Sequence, residues 1–240
     1  MNYRQYWNDE EAERSKPWWI ESPDDDKLLR FLRVETNLEK CFRDGLAFAG
    51  LNGGLQGRAL DLAAGVCWTS AILSRCTEIS EVFAVDYSEH RVGKIAPLVF
   101  QQLEADKSKI VTRCDDISTA RWDDRSFNFV VFCQALYMSA KPFEILRDVW
   151  RILKPGGMVL IACEHISPRR SIRTFLKSLR QGKPFSTPVD KSGRHQYDSQ
   201  HYEHFLKSAG FGLRIQELSY PTFKDSQIPA RNYVGVKGEA

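Results

Sequence analysis

The feature that most constrains this chain is the alternation of short apolar runs with helical patterns between residues 24 and 153. Each apolar run has the length of a buried strand, and segments with helical spacing separate the runs. This alternation is typical of an α/β fold, in which helices cover both faces of a largely parallel sheet.

Five apolar runs are predicted to be core strands, at residues 58–62, 81–86, 109–114, 127–133 and 158–163. Helices are predicted at residues 24–48, 67–75, 88–103 and 142–153. Lys154-Pro155-Gly156-Gly157 is predicted to end the last of these helices and to precede the fifth strand.

The pattern changes after residue 163. A basic helix is predicted at 166–180, a polar loop at 181–200 and a short helix at 199–209. Two closing strands, near 213–218 and 231–237, are predicted to form a hairpin at one edge. We therefore predict a Rossmann-like, doubly wound, mostly parallel sheet of seven strands with an antiparallel C-terminal hairpin.

Composition narrows the class of protein. The 240 residues are 42% hydrophobic and 27% charged, which is typical of a globular protein that folds in water. No apolar run approaches the roughly 18 residues of a membrane helix, and the first residues are polar and acidic. A cytoplasmic protein without a membrane partner is expected. The net charge of +3 is too small to indicate nucleic-acid binding. Six scattered cysteines without a C-x-x-C pair are expected to be mostly small buried residues.

Acidic residues stand at the ends of the first three predicted strands. Asp61 lies in ALDLAAG (residues 59–65), where small residues follow the strand and let the backbone approach a ligand. Asp86 ends the second strand and can accept from ribose hydroxyls, although a helix-capping role is the alternative. Asp115 and Asp116 follow the third strand and suit an adenine amino group or a solvated turn. Ligands of such sheets bind at this edge.

Together these segments resemble the class I methyltransferases that depend on S-adenosylmethionine (SAM), in their small type 11 methyltransferase-domain form. The resemblance covers residues 58–163. It comprises LDLAAG (60–65), the acid at Asp86, residues 114–138 and LRDVWRILKPGG (146–157). The order of the four segments makes the resemblance more specific than any one of them.

The resemblance implies SAM as the cofactor and assigns its contacts. These fall on Asp61, Ala63, Gly65, Asp86, Tyr87, Asp116, Ile117, Cys133 and Gln134. Asp61, Ala63 and Gly65 would hold the methionine portion. Asp86 would bind the ribose, with Tyr87 beside the adenine. Asp116 and Ile117 would bind the edge of the adenine, and Cys133 and Gln134 would flank the sulfonium.

Two residues depart from the family pattern. Ala63 and Cys67 stand where the family usually has glycine. A side chain there is harmless if φ is negative and costs roughly 1 kcal/mol or more if the backbone is left-handed. A degenerate relative that does not bind SAM is therefore an alternative. A dehydrogenase is not favoured, because residues 63–68 lack G-x-G-x-x-G.

Methyl transfer to an oxygen or nitrogen requires positioning of the acceptor and, for an alcohol or ammonium, a group that takes a proton. The catalytic candidates are Tyr137, after the fourth strand, and His165, which follows Glu164 after the fifth. Tyr137 as a wall residue and His165 as a helix-start residue are the alternatives. His201 and His204 form H-x-x-H without a third ligand, so no metal site is predicted.

Two outer segments are predicted to shape the acceptor pocket. Residues 1–57 are predicted to form a helical flap that contains five aromatic residues; packing of this segment on an edge helix is the alternative. Residues 58–240 are predicted to form the SAM-binding methyltransferase domain. A lid-like insertion at about 164–200 includes His195 and carries six basic residues between 169 and 183. These basic residues form a solvated face, bind an acceptor carboxylate or phosphate, or bind RNA.

The predicted function is methyl transfer from SAM to an oxygen or nitrogen of a small-molecule acceptor, by a monomer or homodimer. An RNA or protein methyltransferase and a degenerate non-catalytic protein are the alternatives. The absence of an N-P-P-Y-like sequence after the fourth strand disfavours methylation of base amino groups.

Overall fold

Seven strands form a single sheet in the computed structural model of the chain, which describes residues 9–50, 56–117, 120–164, 195 and 197–239. The strands are β1 (Gly57–Leu62), β2 (Ile79–Asp86), β3 (Ile110–Cys114), β4 (Phe127–Cys133), β5 (Leu153–Ala162), β6 (Gly212–Glu217) and β7 (Arg231–Val236). Tyr3, Tyr6, Trp7, His165, the predicted basic helix at 166–180 and most of the predicted loop at 181–200 lie outside the described residues.

Three of the described helices precede β1, and the other four lie between strands. The helices are α1 (Glu10–Arg14), α2 (Lys27–Arg30), α3 (Leu38–Ala49), α4 (Trp68–Ser74), α5 (Ala96–Gln102), α6 (Pro142–Ile152) and α7 (Ser199–Ser208). A π-helical segment, Phe31–Glu35, follows α2, and a second, Arg91–Ile95, precedes α5. No helix in the described ranges meets the length and hydropathy that a membrane span requires.

The strand order is β3-β2-β1-β4-β5-β7-β6. Strands β1 to β5 are parallel, and β7 runs antiparallel to both β5 and β6. The chain moves outward from β1 to β3 and then returns to place β4 on the other side of β1. The topological switch point therefore lies between β1 and β4, where sheets of this type bind ligands. The predicted fold class, including the C-terminal hairpin, is confirmed.

Alternate residues of the strands point into two separate cores, because successive side chains face opposite sides of a sheet. On one face Ala59 and Val131 pack with residues of α3, α4 and α5. On the other face Leu60 and Val130 pack with residues of α6 and α7. Helices on both faces make the sheet doubly wound and leave its carboxyl edge as the place for a site.

The prediction of one helix over residues 24–48 is wrong. Thr36 is extended and forms an isolated bridge with Phe223, and the Asn37 N–H donates to the Thr222 carbonyl at 2.8 Å. The loop between β6 and β7 thus supplies hydrogen bonds that divide the helix. This interruption depends on residues nearly two hundred positions away, which helical spacing alone does not reveal.

The prediction that the fifth strand begins at residue 158 is also wrong. It begins at Leu153, and its pairing with β4 jumps from Phe127↔Leu153 to Phe129↔Met158. Residues 154–157 form a bulge within the strand. Gly157 fits there because a Cβ would lie 2.8 Å from the Lys154 carbonyl oxygen. Gly157 therefore accommodates a close backbone approach inside the strand, whereas Gly156 supplies a left-handed residue, with φ 72°.

The cysteines are less uniformly buried than expected. Cys41, Cys67 and Cys163 are buried, whereas Cys114 is exposed at the end of β3. Strand β3 is an edge strand, and four of its five residues are exposed. An apolar run on an edge strand therefore overstates the burial of the residues within it.

Candidate active site

The carboxyl ends of β1, β2 and β4 meet along one edge of the sheet. The parallel register pairs Asp61 of β1 with Ala84 of β2 and with Val131 of β4. Asp86 ends β2, and Gln134 directly follows β4. These strand ends and the residues that follow them form a row, here called the rim. The rim consists of residues 61–65 at β1, 86 and 87 at β2, 115–117 after β3, and 133 and 134 at β4.

Asp61 is a buried carboxylate with one unsatisfied oxygen. Its Oδ2 accepts hydrogen bonds from Thr69 Oγ1 at 2.6 Å and Ser70 Oγ at 2.5 Å, whereas its Oδ1 is buried without a partner. Burial raises the pKa of Asp61 to about 6, against the effect of the two hydroxyls. A buried acceptor without a donor is unfavourable. Oδ1 is therefore the atom that a ligand N–H can satisfy.

Asp86 joins the end of β2 to the loop after β1. Its Oδ2 accepts from the Gly65 N–H at 2.8 Å, and its Oδ1 accepts from the Ser88 N–H at 3.0 Å. Burial raises the pKa of Asp86, and the positive charge of Arg91 opposes this shift. Carboxylate oxygens accept more than one hydrogen bond, so both retain capacity for the hydroxyls of a ligand.

The loop between β1 and α4 turns through three left-handed residues. The φ angles are 57° at Ala63, 57° at Gly65 and 62° at Cys67. Only Gly65 has the residue type for which this conformation carries no steric cost. Ala63 and Cys67, the two departures from the family pattern, therefore each carry a cost of roughly 1–2 kcal/mol. Trp68 packs against Phe42 of α3, with ring centroids 5.3 Å apart.

The rim continues beyond β3 with two aspartates in different surroundings. The Asp115 N–H donates to the Asp86 carbonyl at 3.0 Å, and the Asp115 carboxylate pairs with Arg113 at 2.5 Å. The Asp115 Oδ1 also accepts from the Asp116 N–H at 2.8 Å. Asp116, Ile117 and Tyr87 are half-buried. The ion pair holds the Asp115 carboxylate beside β3. The assignment of Asp116 to the adenine stays a prediction.

The end of β4 holds a second unsatisfied group. Gln134 is left-handed, with φ 54°, and its N–H donates to the Ala162 carbonyl at 3.2 Å. Its side-chain Nε2 is buried and has no hydrogen-bond acceptor. Cys133 beside it is half-buried, and burial raises the pKa of its thiol. The rim therefore contains one unsatisfied acceptor on β1 and one unsatisfied donor after β4.

Glu164, directly after β5, is a buried carboxylate of a different kind. It accepts from the consecutive N–H groups of residues 135, 136 and 137, at 2.9, 3.0 and 3.2 Å. The Tyr202 hydroxyl donates to its Oε2 at 3.0 Å. Burial raises the pKa of Glu164. These contacts occupy both oxygens, so the geometry assigns Glu164 to holding the turn after β4 rather than to taking a proton.

Tyr137 lies in the turn that Glu164 holds. Its side chain is largely buried, and its carbonyl accepts from the His195 N–H at 2.8 Å. The His195 ring stacks on Tyr197, with centroids 5.5 Å apart, and the Tyr197 hydroxyl donates to the Ser139 carbonyl at 2.8 Å. Burial lowers the pKa of His195. The sequence placed His195 in the predicted insertion. It did not predict the hydrogen bond from His195 to the turn that contains Tyr137, because no local pattern signals such a contact.

His201 of the H-x-x-H pair takes part in a helix cap. The Asp198 side chain accepts from the His201 N–H at 3.1 Å, and the ring Nδ1 of His201 lies 2.7 Å from Asp198 Oδ1, so His201 belongs to a capping box of α7. Over the described parts of the chain, no three His, Cys, Asp or Glu residues are grouped suitably for a metal ion.

Comparisons with known proteins agree with this geometry. Residues 60–161 match the family model described as a methyltransferase domain. An uncharacterized chloroplastic methyltransferase of Arabidopsis thaliana is 28% identical over 137 residues, which are 57% of this chain and 39% of that protein. A demethylmenaquinone methyltransferase of Clavibacter sepedonicus is 31% identical over 127 residues, which are 51% of this chain and 49% of that protein. The chain thus spans less than half the length of these two relatives.

Solved structures share the fold at low sequence identity. The magnesium protoporphyrin IX methyltransferase of Synechocystis, solved with bound S-adenosylhomocysteine (SAH), has a TM-score of 0.65 at 16% identity and covers 98% of both chains. The [4+2]-cyclase SpnF has a TM-score of 0.63 at 16% identity, over 83% of this chain and 82% of that one. Residues 60–161, less than half of the chain, therefore match the methyltransferase-domain family, and the structures that share the fold of the chain include a methyltransferase solved with SAH.

Proposed function

We propose that this protein binds SAM along the rim and transfers its methyl group to an oxygen or nitrogen of a small-molecule acceptor. The observation that carries the proposal is the pair of unsatisfied buried atoms, Asp61 Oδ1 and Gln134 Nε2. One is an acceptor and the other a donor. The methionine portion of SAM has an ammonium and a carboxylate, which are the complementary groups.

The remaining contacts follow the order of the strands. Asp86 accepts from the ribose hydroxyls with the capacity that Gly65 and Ser88 leave on its oxygens. Tyr87, Asp116 and Ile117 contact the adenine. Ala63 and Gly65 present their backbone to the methionine portion, while Cys133 and Gln134 flank the sulfonium.

Bound SAM would supply a methyl group whose bond to the sulfonium sulfur breaks as the acceptor oxygen or nitrogen bonds to the methyl carbon, with SAH as the leaving group. The protein then has to hold the nucleophile in line and keep water out, and positioning of this kind contributes up to roughly 7–11 kcal/mol. Tyr137 and His165 are the proposed proton acceptors. Glu164 supports this role by fixing the Tyr137 backbone and by standing next to His165 in the chain.

A small-molecule acceptor is supported by the relatives. A demethylmenaquinone methyltransferase and a magnesium protoporphyrin IX methyltransferase are named for small organic acceptors. We propose that residues 1–57 act as a flap and that the insertion at 164–200 within residues 58–240 acts as a lid. The basic residues at 169–183 would then meet a carboxylate or phosphate on the acceptor.

A second candidate is a protein of this fold that does not transfer methyl groups. Two observations favour it: the left-handed, non-glycine residues Ala63 and Cys67, and the [4+2]-cyclase among the similar structures. This candidate differs from the first in that it forms no SAH from SAM in the presence of an acceptor.

Thermal unfolding with SAH tests the cofactor assignment. At 100 times its Kd a ligand adds about 2.7 kcal/mol to the free energy of unfolding. For a chain of this length, the melting temperature should rise by roughly 5–10 °C. NADH should cause no shift, and Asp86→Ala should abolish most of the SAH shift. An unchanged melting temperature at millimolar SAH would overturn the proposal. Formation of SAH from SAM during an acceptor screen then separates the two candidates.

A further inference from the structure

A buried carboxylate from α1 reaches the chain after β2. Glu13 is 2% exposed, and its Oε2 accepts from Arg91 Nε at 2.7 Å while its Oε1 accepts from the same guanidinium. The ring Nε2 of His90 lies 3.2 Å from Glu13 Oε2. Arg91 is itself only 11% exposed, so water cannot replace Glu13 as its partner without rearrangement.

The contacts of Glu13 extend to the proposed ribose carboxylate. The Nδ1 of His90 lies 3.2 Å from Ser88 Oγ, and the Ser88 N–H donates to Asp86 Oδ1 at 3.0 Å. Glu13, His90, Ser88 and Asp86 are all buried. A continuous chain of polar contacts therefore connects α1 to the rim.

Aromatic residues after α1 complete the contact. The Trp19 ring lies 5.7 Å from the His90 ring, and the Arg91 guanidinium lies 5.6 Å from the centroid of the Trp18 ring. The exposed pair Glu10–Lys94, at 2.6 Å, joins the same two segments. Residues 10–19 thus dock on the segment that follows Asp86 through one buried ion pair and one exposed ion pair.

We propose that Glu13 is a positioning residue for SAM binding, because it holds Arg91 away from Asp86. This inference rests on the proposed function. Arg91 lies five residues after Asp86, in the segment whose Ser88 N–H donates to Asp86 Oδ1, and Glu13 accepts from the Arg91 guanidinium through both of its carboxylate oxygens. Without Glu13, the buried guanidinium turns to Asp86 and competes with the ribose hydroxyls for the same oxygens.

Docking of residues 10–19 and cofactor binding are then thermodynamically coupled. If docking raises the affinity for SAM, SAM must stabilise docking by the same factor. The coupling requires no contact between Glu13 and the cofactor.

Calorimetric titration with SAH tests the inference. Glu13→Gln should weaken SAH binding at least tenfold. Glu10→Gln, on the same helix but in the exposed pair, should change the Kd less than twofold. The double variant Glu13→Gln/Arg91→Gln should recover most of the lost affinity, because the competing guanidinium is gone. A purely structural role for Glu13 predicts the opposite, since the double variant removes still more of the docking contact.

The outcomes separate this inference from the proposed function. Wild-type protein that does not bind SAH would overturn both. Wild-type binding with an unchanged Kd in Glu13→Gln, or no recovery in the double variant, would overturn the inference alone. If Glu13→Gln does not fold, hydrogen exchange of the wild type decides. SAH should slow exchange at residues 10–14, and unchanged exchange there would overturn the coupling.

Discussion

Asp61 near the end of β1 and Glu164 after β5 are both buried carboxylates, and they differ in how their oxygens are satisfied. Asp61 is 1% exposed and Glu164 is 2% exposed, and burial raises the pKa of both. The chain supplies four donors to Glu164 and leaves Asp61 Oδ1 without one. Burial and a raised pKa therefore do not identify a ligand-binding acid by themselves. We propose that the unsatisfied atom distinguishes an acid that receives a ligand, Asp61, from an acid that holds the fold, Glu164.

The largest expected effect is the loss of stability caused by Glu164→Ala. Glu164→Ala leaves three buried N–H groups without an acceptor, and each such group costs about 1–3 kcal/mol. The free energy of unfolding should fall by about 3 kcal/mol or more in urea titrations. Glu144→Ala, an exposed acid on α6, should change it by less than about 0.5 kcal/mol. Equal stability of the two variants would contradict the role assigned to Glu164.

Asp61→Asn should have little effect on stability and a large effect on SAH affinity. The amide oxygen still accepts from Thr69 and Ser70, so the free energy of unfolding should change by less than about 1 kcal/mol. An amide NH₂ opposite the ligand ammonium should lower SAH affinity roughly 10- to 100-fold, the range for a lost charge-assisted hydrogen bond. Calorimetry measures the affinity. A variant that loses stability but keeps its affinity would invert the comparison.

The pH dependence of binding sharpens the assignment of Asp61. Its pKa of about 6 lies above the ordinary 3.8, so the unliganded protein keeps this proton up to about pH 6. A ligand ammonium binds the ionised form. SAH affinity should therefore fall as the pH is lowered below 6, by up to about tenfold per unit. In Asp61→Asn this dependence should be weaker, although Asp86 also has a raised pKa.

The sign for stability follows from the same shift. The folded state binds the Asp61 proton more tightly than the unfolded state, so this group lowers the stability of the unliganded protein as the pH rises from about 4 to 6. Urea titrations of unliganded wild type and Asp61→Asn at pH 4 and pH 6 measure this loss of stability. A wild-type affinity that is constant between pH 5 and 7 would rule out Asp61 as the acid that meets the ammonium.

The smallest expected effect concerns the loop beside Asp61. Ala63→Gly removes the steric cost of a left-handed alanine and should raise the free energy of unfolding by up to about 1 kcal/mol. Ala64→Gly is the matched control, because the φ of Ala64 is not positive. That change should lower the stability, since glycine has more freedom to lose on folding. A loss of stability in both variants would show that the Ala63 conformation is not strained.

The strands and the rim were predictable because they depend on local patterns. Apolar runs gave the five parallel strands, and acids at the ends of β1 and β2 gave Asp61 and Asp86. The division of the first helix at Thr36 and the bulge at residues 154–157 were not predictable, because both depend on pairing with distant segments.

The site was less predictable than the fold. The left-handed backbone at Ala63 and Cys67 contradicts what their side chains favour, and it became visible only in the structure. The network of Glu164 joins residues 135–137 and Tyr202, so no short motif contains it. The docking of Glu13 on Arg91 spans 78 positions of the chain and leaves no periodic trace in the sequence.

The contacts of Glu164 and His195 have a consequence for how the chain can diverge. Glu164 precedes residues 165–194, and His195 and Tyr202 follow them. Glu164 bonds to Tyr202, and His195 bonds to Tyr137, so the two ends of that stretch are fixed in one small network beside β4. Once its ends are fixed, doubling the length of a loop costs only about 0.6 kcal/mol in closure entropy. We therefore expect changes in the length of the chain between Glu164 and His195 to leave the sheet unchanged, because described residues hold both ends.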